Sequence, residues 1–199
     1  MSSDILMRYK FLELLARIAK CKYIETQKEE TVSKSMERLI TEVLLEHVVW
    51  EPWQEFRDKK LYTVEIADVF RNNIEGIQEV MAYYYGPKRP WMAKKDAYAL
   101  MVSDTKVNLY DKDAIHCYGM SKMTVIDEKQ HSKKYERVEF CEFCEYIARV
   151  ADLKYKQEKD ISLKQKIDLI LDDILELVGY ERIEVGAAEE EVSASDSDY

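Results

Sequence analysis

The chain has 199 residues, of which 47% are hydrophobic, so it is long enough to bury one sizeable core or two small ones. Its net charge of −9 argues against a nucleic-acid partner, and the lack of any run of about 18 apolar residues argues against a membrane span. Asp4 and Arg8 interrupt the apolar pattern near the start, which is untypical of a secretory signal. We therefore expect a cytoplasmic protein.

The low content of turn-forming residues indicates the fold class. Only five Gly and three Pro occur in the whole chain. Because these residues mark tight turns and the ends of short strands, their scarcity favours long helices. We expect an all-α protein.

An internal repeat brackets the chain. Residues 11–23 match residues 143–155, with Phe, Glu, Ala, Arg, Ala, Lys and Tyr identical in register. The match continues from 36–44 to 167–175 after a shift of one residue. We predict one domain over 1–186 that contains two helix-turn-helix units. The units span about 4–49 and 137–180.

Hydrophobic periodicity predicts the helices of the first unit and of the middle region. In the first unit, a one-sided helix is expected after a cap at Ser33. The longest amphipathic run begins at a Thr63 cap and continues to Tyr85, before Gly86. We predict a single continuous helix over this run.

The second half of the chain is predicted to contain shorter helices. Helical patterns occur at about 94–103 and 112–122, and a polar connection at 127–137 leads into the second unit. The last helix is expected to begin after Ser162 and to end at Gly179.

The final residues differ in composition from the rest of the chain. From Ala187 onward they are mostly Glu, Ser, Asp and Ala. A segment with almost nothing apolar to bury cannot offset the entropy cost of ordering. We expect 187–199 to form a disordered acidic tail.

The four Cys do not form a framework of disulfide or metal spacings. Cys141 and Cys144 make a C-x-x-C pair, but it lies inside a helical pattern and lacks a second pair of ligands. In the repeat, Cys144 aligns with Leu12, and Leu153 aligns with Cys21. We therefore interpret the thiols as apolar helical positions, and we expect no metal site.

A second pattern concerns the segments that precede two of the helices. Val138 stands four residues before Glu142 and is followed by Phe143, and Met92 stands four residues before Asp96. This arrangement resembles an EF-hand, and over roughly 4–180 the chain is similar to the divergent EF-hand-like domains of ciliary and flagellar axonemal proteins. The resemblance implies an EF-hand-like helix-loop-helix pair, flanked by the two repeated hairpins.

Calcium binding by these loops is not expected. An EF-hand loop of 12 residues needs oxygen ligands at positions 1, 3 and 5 and Gly at position 6. Counting back from Glu142 places His131, Lys133, Tyr135 and Glu136 at these positions. Counting back from Asp96 places Tyr85, Pro87 and Arg89 at the first three. A calcium-responsive sensor that uses non-standard ligands remains the alternative.

No pattern in the sequence indicates an enzyme. The chain has no glycine-rich phosphate loop and no nucleophile or zinc-protease motif, and we name no catalytic residue and no cofactor. Glu13 with Arg17, and Glu145 with Arg149, have the i, i+4 spacing of helical ion pairs. A small enzyme whose site has no recognisable motif is a third possibility.

The candidate partner-binding residues are aromatic rings and cations in two segments, one between two amphipathic helices and the other with few aliphatic residues to bury it. They are Trp50, Trp53, Tyr83, Tyr85, Lys88, Arg89 and Trp91. The alternative is that the tryptophans staple their loops onto the core.

The resemblance implies a structural or adaptor protein rather than an enzyme. Its partners would be other axonemal or cytoskeletal proteins in a cilium or flagellum, held through aromatic loops and an exposed helix face. Tubulin is one candidate, because the basic patch near Arg89 suits an acidic surface. A small-molecule substrate is not expected.

Overall fold

The computed structural model describes residues 6–48, 52–86 and 89–182. It confirms the all-α class, because helices account for most of this part of the chain and its only sheet has two short strands. None of the described helices combines the length and the apolar character needed to cross a membrane. Trp50, Lys88 and the predicted tail at 187–199 lie outside the described residues.

The first hairpin consists of α1 (Arg8–Ala19), which continues as a π-helical turn, and α2 (Val32–Leu39). A second π-helical turn and the short α3 (Leu45–His47) extend α2. The hairpin has a small core of its own, in which Ala19, Tyr23 and Leu39 are buried. The cap of α2 is Thr31 rather than the predicted Ser33, because the Thr31 side chain accepts a hydrogen bond from the backbone N–H of Lys34.

The middle region begins with α4 (Trp53–Phe56) and its π-helical extension, followed by α5 (Val64–Asn72) and α6 (Ile74–Tyr85). The prediction of one continuous helix from Thr63 to Tyr85 is therefore wrong. The helix breaks at Asn73, whose side-chain Nδ2 donates to the carbonyl of Val69 at 2.8 Å and whose Oδ1 accepts from Arg182. The Thr63 cap is confirmed by its bond from the N–H of Ile66.

Two short strands lie at the centre of the fold. They are β1 (Trp91–Ala93), which leads into α7 (Lys94–Val102), and β2 (Arg137–Glu139). The strands are antiparallel, and Met92 is opposite Val138, with neither side chain exposed. Between them lie α8 (Asp111–Ser121), the short α9 (Glu128–His131) and a 3₁₀ turn, so the predicted polar connection is partly helical.

The second hairpin consists of α10 (Phe140–Lys154) and α11 (Leu163–Leu175). Both helices begin with a capping box, and Ser162 caps α11 as predicted. A 3₁₀ turn after α11 ends at Gly179, whose φ of +66° suits a residue without a side chain. This hairpin shares one large core with α5 to α8.

Candidate functional site

The two copies of the repeat differ in what covers their outer face. Three large apolar side chains of α1, spaced by one helical turn, are between 42% and 46% exposed, and we name them the α1 stripe. They are Phe11, Leu14 and Ile18. Their counterparts in α10 are fully buried. These are Phe143, Tyr146 and Val150.

The geometry of α1 explains why the stripe faces outward. Leu15, Ala19 and Tyr23 form the face that packs on α2 in the small core. The stripe lies on the neighbouring face, because residues three and four apart share one side of a helix. The hairpin therefore buries only one of the two apolar faces of α1.

The α1 stripe is uncovered because, within the described residues, α1 lacks a packing partner equivalent to α8, which covers α10. In the second hairpin, α10 packs on both α11 and α8, and the Tyr146 ring lies 5.8 Å from the ring of Tyr118 on α8. In the first hairpin α2 takes the place of α11. No helix in the described part of the chain packs extensively against α1 except α2.

The two predicted ion pairs also differ in burial, since the pair in α1 is exposed and the pair in α10 is buried. The Glu13–Arg17 pair forms at 2.5 Å with both side chains more than half exposed. The Glu145–Arg149 pair forms at 2.8 Å with both side chains at least 93% buried, their exposed fractions being 4% and 7%. Glu145 also accepts from Arg57 at 2.9 Å, so one buried carboxylate holds two guanidinium groups. Identical spacing thus gives a solvated pair in one copy and a core network in the other.

The first hairpin is fastened to the rest of the protein at its start. The Arg8 side chain donates from Nε to Glu128 at 2.7 Å and from Nη2 to the carbonyl of Val125 at 2.9 Å. The Tyr135 hydroxyl also donates to Glu128. This anchor holds the beginning of α1 and leaves the α1 stripe uncovered.

Three of the predicted aromatic and cationic residues come together, and we name them, with Arg137, the Arg89 cluster. The guanidinium of Arg89 lies 5.3 Å from the ring of Tyr85 and 5.2 Å from the ring of Trp91. Arg137 lies 5.4 Å from the same Trp91 ring. Interaction with the Asp96 carboxylate raises the pKa of Tyr85. The stacking holds the Arg89 guanidinium against the rings of Tyr85 at the end of α6 and Trp91 at the start of β1.

The other two described candidates are separate from this cluster. Tyr83 is 61% exposed and meets only the edge of the Tyr84 ring among the aromatic contacts of the described residues. Trp53 is 47% exposed, lies under the guanidinium of Arg57, and accepts from Arg149 through its carbonyl oxygen. Both rings are accessible to a partner.

A lysine and a glutamate meet behind β2. Lys122 Nζ donates to Glu142 at 2.5 Å and to the carbonyl of Arg137 at 2.7 Å, and neither side chain is more than 9% exposed. Burial lowers the pKa of Lys122, and the hydrogen bond that its ammonium donates to Glu142 opposes that shift. Glu142 also accepts from the backbone N–H of Met123 and of Glu139. The carboxylate is therefore fully engaged.

The described residues include no cluster of metal ligands, and the two thiols of the C-x-x-C pair differ in burial. No group of three or more His, Cys, Asp or Glu side chains within them has the geometry to hold a metal ion. Cys141 is exposed and Cys144 is buried, and both lie in α10 as predicted. Burial raises the pKa of Cys144 to about 12, which keeps it in the unreactive thiol form at neutral pH.

Sequence reasoning missed the α1 stripe. The repeat itself contains the signal, because it aligns Phe11 with Phe143, whereas the described residues provide a covering helix for only one of the two rings. Searches with protein-family models, against curated proteins and against solved structures found no match for this chain.

Proposed function

We propose that this protein is a non-catalytic adaptor or structural protein, and that it binds another protein through the α1 stripe. The observation that carries the proposal is the contrast between Phe11, Leu14 and Ile18, which are exposed, and the fully buried residues at the same repeat positions. Completing the burial of three half-exposed large side chains would contribute about 2–4 kcal/mol to binding. Exposed apolar stripes of this kind mark protein interfaces.

The partner surface is an amphipathic helix that takes the position α8 has on α10. Lys10 and Lys22 lie four residues from Leu14 and Ile18 respectively, so they flank the stripe. Neither lysine forms an ion pair within the described residues. A partner helix with apolar residues along one face and carboxylates beside them would complement this surface. Tyr83 and Trp53 would provide additional contacts.

The position of Lys122 supports the proposal that the loop before α10 is EF-hand-like. Counted back from Glu142, Arg137 is position 7 of a loop of 12 residues, and an EF-hand binds calcium through the carbonyl of position 7 and the carboxylate of position 12. Both groups accept hydrogen bonds from the ammonium of Lys122. In the proposed EF-hand-like loop, the lysine ammonium would take the position of the cation, and the loop would not need calcium.

We propose that the protein works in a cytoskeletal assembly. The resemblance to axonemal EF-hand-like domains favours a cilium or flagellum, with a cytoskeletal component as the partner. Its net charge of −9 makes direct docking on an acidic lattice such as tubulin less favourable than docking through a bridging protein.

The experiment compares binding by two matched double variants of the full chain. Phe11→Ser with Ile18→Ser disrupts the stripe, whereas Lys28→Ser with Lys34→Ser changes exposed residues elsewhere on the same hairpin. Proximity labelling in ciliated cells should recover a set of axonemal proteins with the wild type and the lysine variant, and should lose that set with the stripe variant. Each recovered partner is then purified, and its binding to the three chains is measured by calorimetry.

Two outcomes would overturn the proposal. One is equal binding of the purified partner by the stripe variant and the lysine variant, with unchanged circular dichroism in both. The other is a stripe-dependent homodimer in light scattering of the chain alone, because a second copy would then be the occupant.

A further inference from the structure

A cavity of about 370 Å³ lies between α4, α8 and the start of α11. Residues of α10 and of the turn between α10 and α11 also line it. Its lining is strongly basic: five cationic side chains face a single carboxylate. These are Lys60, Arg149, Lys156, Lys159, Lys166 and Asp152. The cavity is separate from the α1 stripe and from the Arg89 cluster.

Two of the five cations are neutralised within the protein. Lys60 pairs with Asp152 at 2.8 Å, and Arg149 pairs with Glu145 at 2.8 Å. The other three, Lys156, Lys159 and Lys166, form no ion pair with any described residue. The cavity therefore holds an excess of about three positive charges that its own walls do not balance.

Lys166 makes this excess unusual. Its side chain is only 7% exposed, and its ammonium forms no hydrogen bond or ion pair with a described residue, yet the ammonium is not among the fully buried polar atoms that lack a partner. The stem is therefore covered while the charged end opens into the cavity, where it is available to a ligand. Lys166 lies in the first turns of α11, where the positive end of the helix dipole adds to the same field.

We propose that this cavity binds a small molecule that carries phosphate groups. Two or more phosphate charges would balance the three free lysines, and phosphate oxygens accept the several short bonds that lysine ammonium groups donate. Phe56 and Met120 line the same cavity, so they provide an apolar wall for the remainder of the ligand. The volume is in the range of small-molecule sites and too small for a folded partner.

The test uses inorganic pyrophosphate as the probe and the full chain as the protein. Binding is measured by calorimetry and by the shift in melting temperature, for the wild type, for Lys166→Met and for Lys164→Met. Lys164 is the matched control, because it lies exposed on the same helix and does not line the cavity. We expect Lys166→Met to weaken binding about tenfold or more, and Lys164→Met to leave it unchanged.

A second readout separates a ligand site from a structural lysine. Without pyrophosphate, Lys166→Met should not lower the melting temperature, because the ammonium forms no hydrogen bond or ion pair within the described residues and Met keeps a side chain of similar length. A lysine that stabilises the fold would instead give a lower melting temperature in Lys166→Met. The proposal predicts a free protein that is no less stable, together with a lost response to the ligand.

Three results would overturn the proposal. The first is no shift in the wild-type melting temperature at millimolar pyrophosphate. The second is equal weakening by Lys166→Met and Lys164→Met, which would indicate non-specific attraction. The third is Lys166-dependent binding to vesicles that contain phosphoinositide, with no binding of soluble pyrophosphate, because a membrane headgroup would then be the ligand.

Discussion

Lys122 and Glu142 form an ion pair of 2.5 Å that joins the end of α8 to the first turn of α10. Both side chains are more than 90% buried, since their exposed fractions are 9% and 7%. The Glu142 carboxylate opposes the effect of burial, which lowers the pKa of Lys122. The same ammonium bonds to the carbonyl of Arg137, so one lysine connects a helix end, a strand and a helix start.

Replacing Lys122 tests the contribution of this pair. Lys122→Met leaves the Glu142 carboxylate buried without a counter-ion, and we expect it to lower the free energy of unfolding by about 3 kcal/mol. Lys106→Met breaks the Lys106–Glu176 pair, in which both side chains are exposed, and should cost less than about 1 kcal/mol. Urea denaturation measures both values. An equal cost for the two variants would contradict the structural role of the buried pair.

Calcium should have no effect on the protein. The groups that would bind an ion at Glu142 and at the Arg137 carbonyl already accept from Lys122. We expect that titration with calcium will change neither the tryptophan fluorescence nor the melting temperature, since a ligand that binds only the folded state must stabilise it. A transition at micromolar calcium would instead favour the sensor alternative.

The Glu128 anchor should make stability depend on pH in acid. Desolvation tends to raise the pKa of Glu128, but hydrogen bonds from Tyr135 and Arg8 outweigh it and lower the pKa below its ordinary 4.5. A lowered folded-state pKa contributes stability above pH 4.5, and this contribution is lost as the pH falls through the folded-state value. Glu128→Gln should therefore flatten the acid side of the stability curve. An unchanged curve would contradict the anchor.

Two glycines in helices should respond oppositely to alanine. A Cβ at Gly76 of α6 would lie 2.6 Å from the ring of Tyr180 and 2.8 Å from Leu175, so Gly76→Ala should destabilise the fold by about 1–3 kcal/mol. A Cβ at Gly119 of α8 would meet nothing within 4 Å, and Gly119→Ala should stabilise it by about 0.5–1 kcal/mol. Thermal denaturation gives both signs. A stabilising Gly76→Ala would exclude the close approach of the Tyr180 ring to α6.

The Arg89 cluster and Tyr83 should differ in their effect on folding. Trp91→Ala removes a ring that stacks with Tyr85, Arg89 and Arg137, and we expect a loss of about 2 kcal/mol. Tyr83 is 61% exposed, so Tyr83→Ala should change stability by less than about 0.5 kcal/mol. The comparison by urea denaturation separates a ring that staples a segment from one free to contact a partner. Equal losses would assign both rings to the fold.

Helix caps and i, i+4 ion pairs could be predicted from the sequence, whereas one helix break could not. The Thr63 and Ser162 caps and the Glu145–Arg149 pair follow from spacings of three and four residues, and all of them are found. The break at Asn73 was missed because the apolar period continues across it, from Val69 and Phe70 to Ile77. Its cause includes a bond from Arg182, which lies 109 residues away in the chain.

The sequence by itself determined the helical class and the two related hairpins, because periodicity, caps and i, i+4 pairs act over a few neighbouring residues. Only the tertiary structure decided which hairpin has its second apolar face covered, since α8 lies across α10 and has no counterpart on α1 within the described residues. It also decided which charged side chains are covered, and so placed Lys122 against Glu142 and left Lys166 at its cavity without an ion pair to any described residue. Burial depends on what packs above a residue, and distant segments of the chain supply that cover.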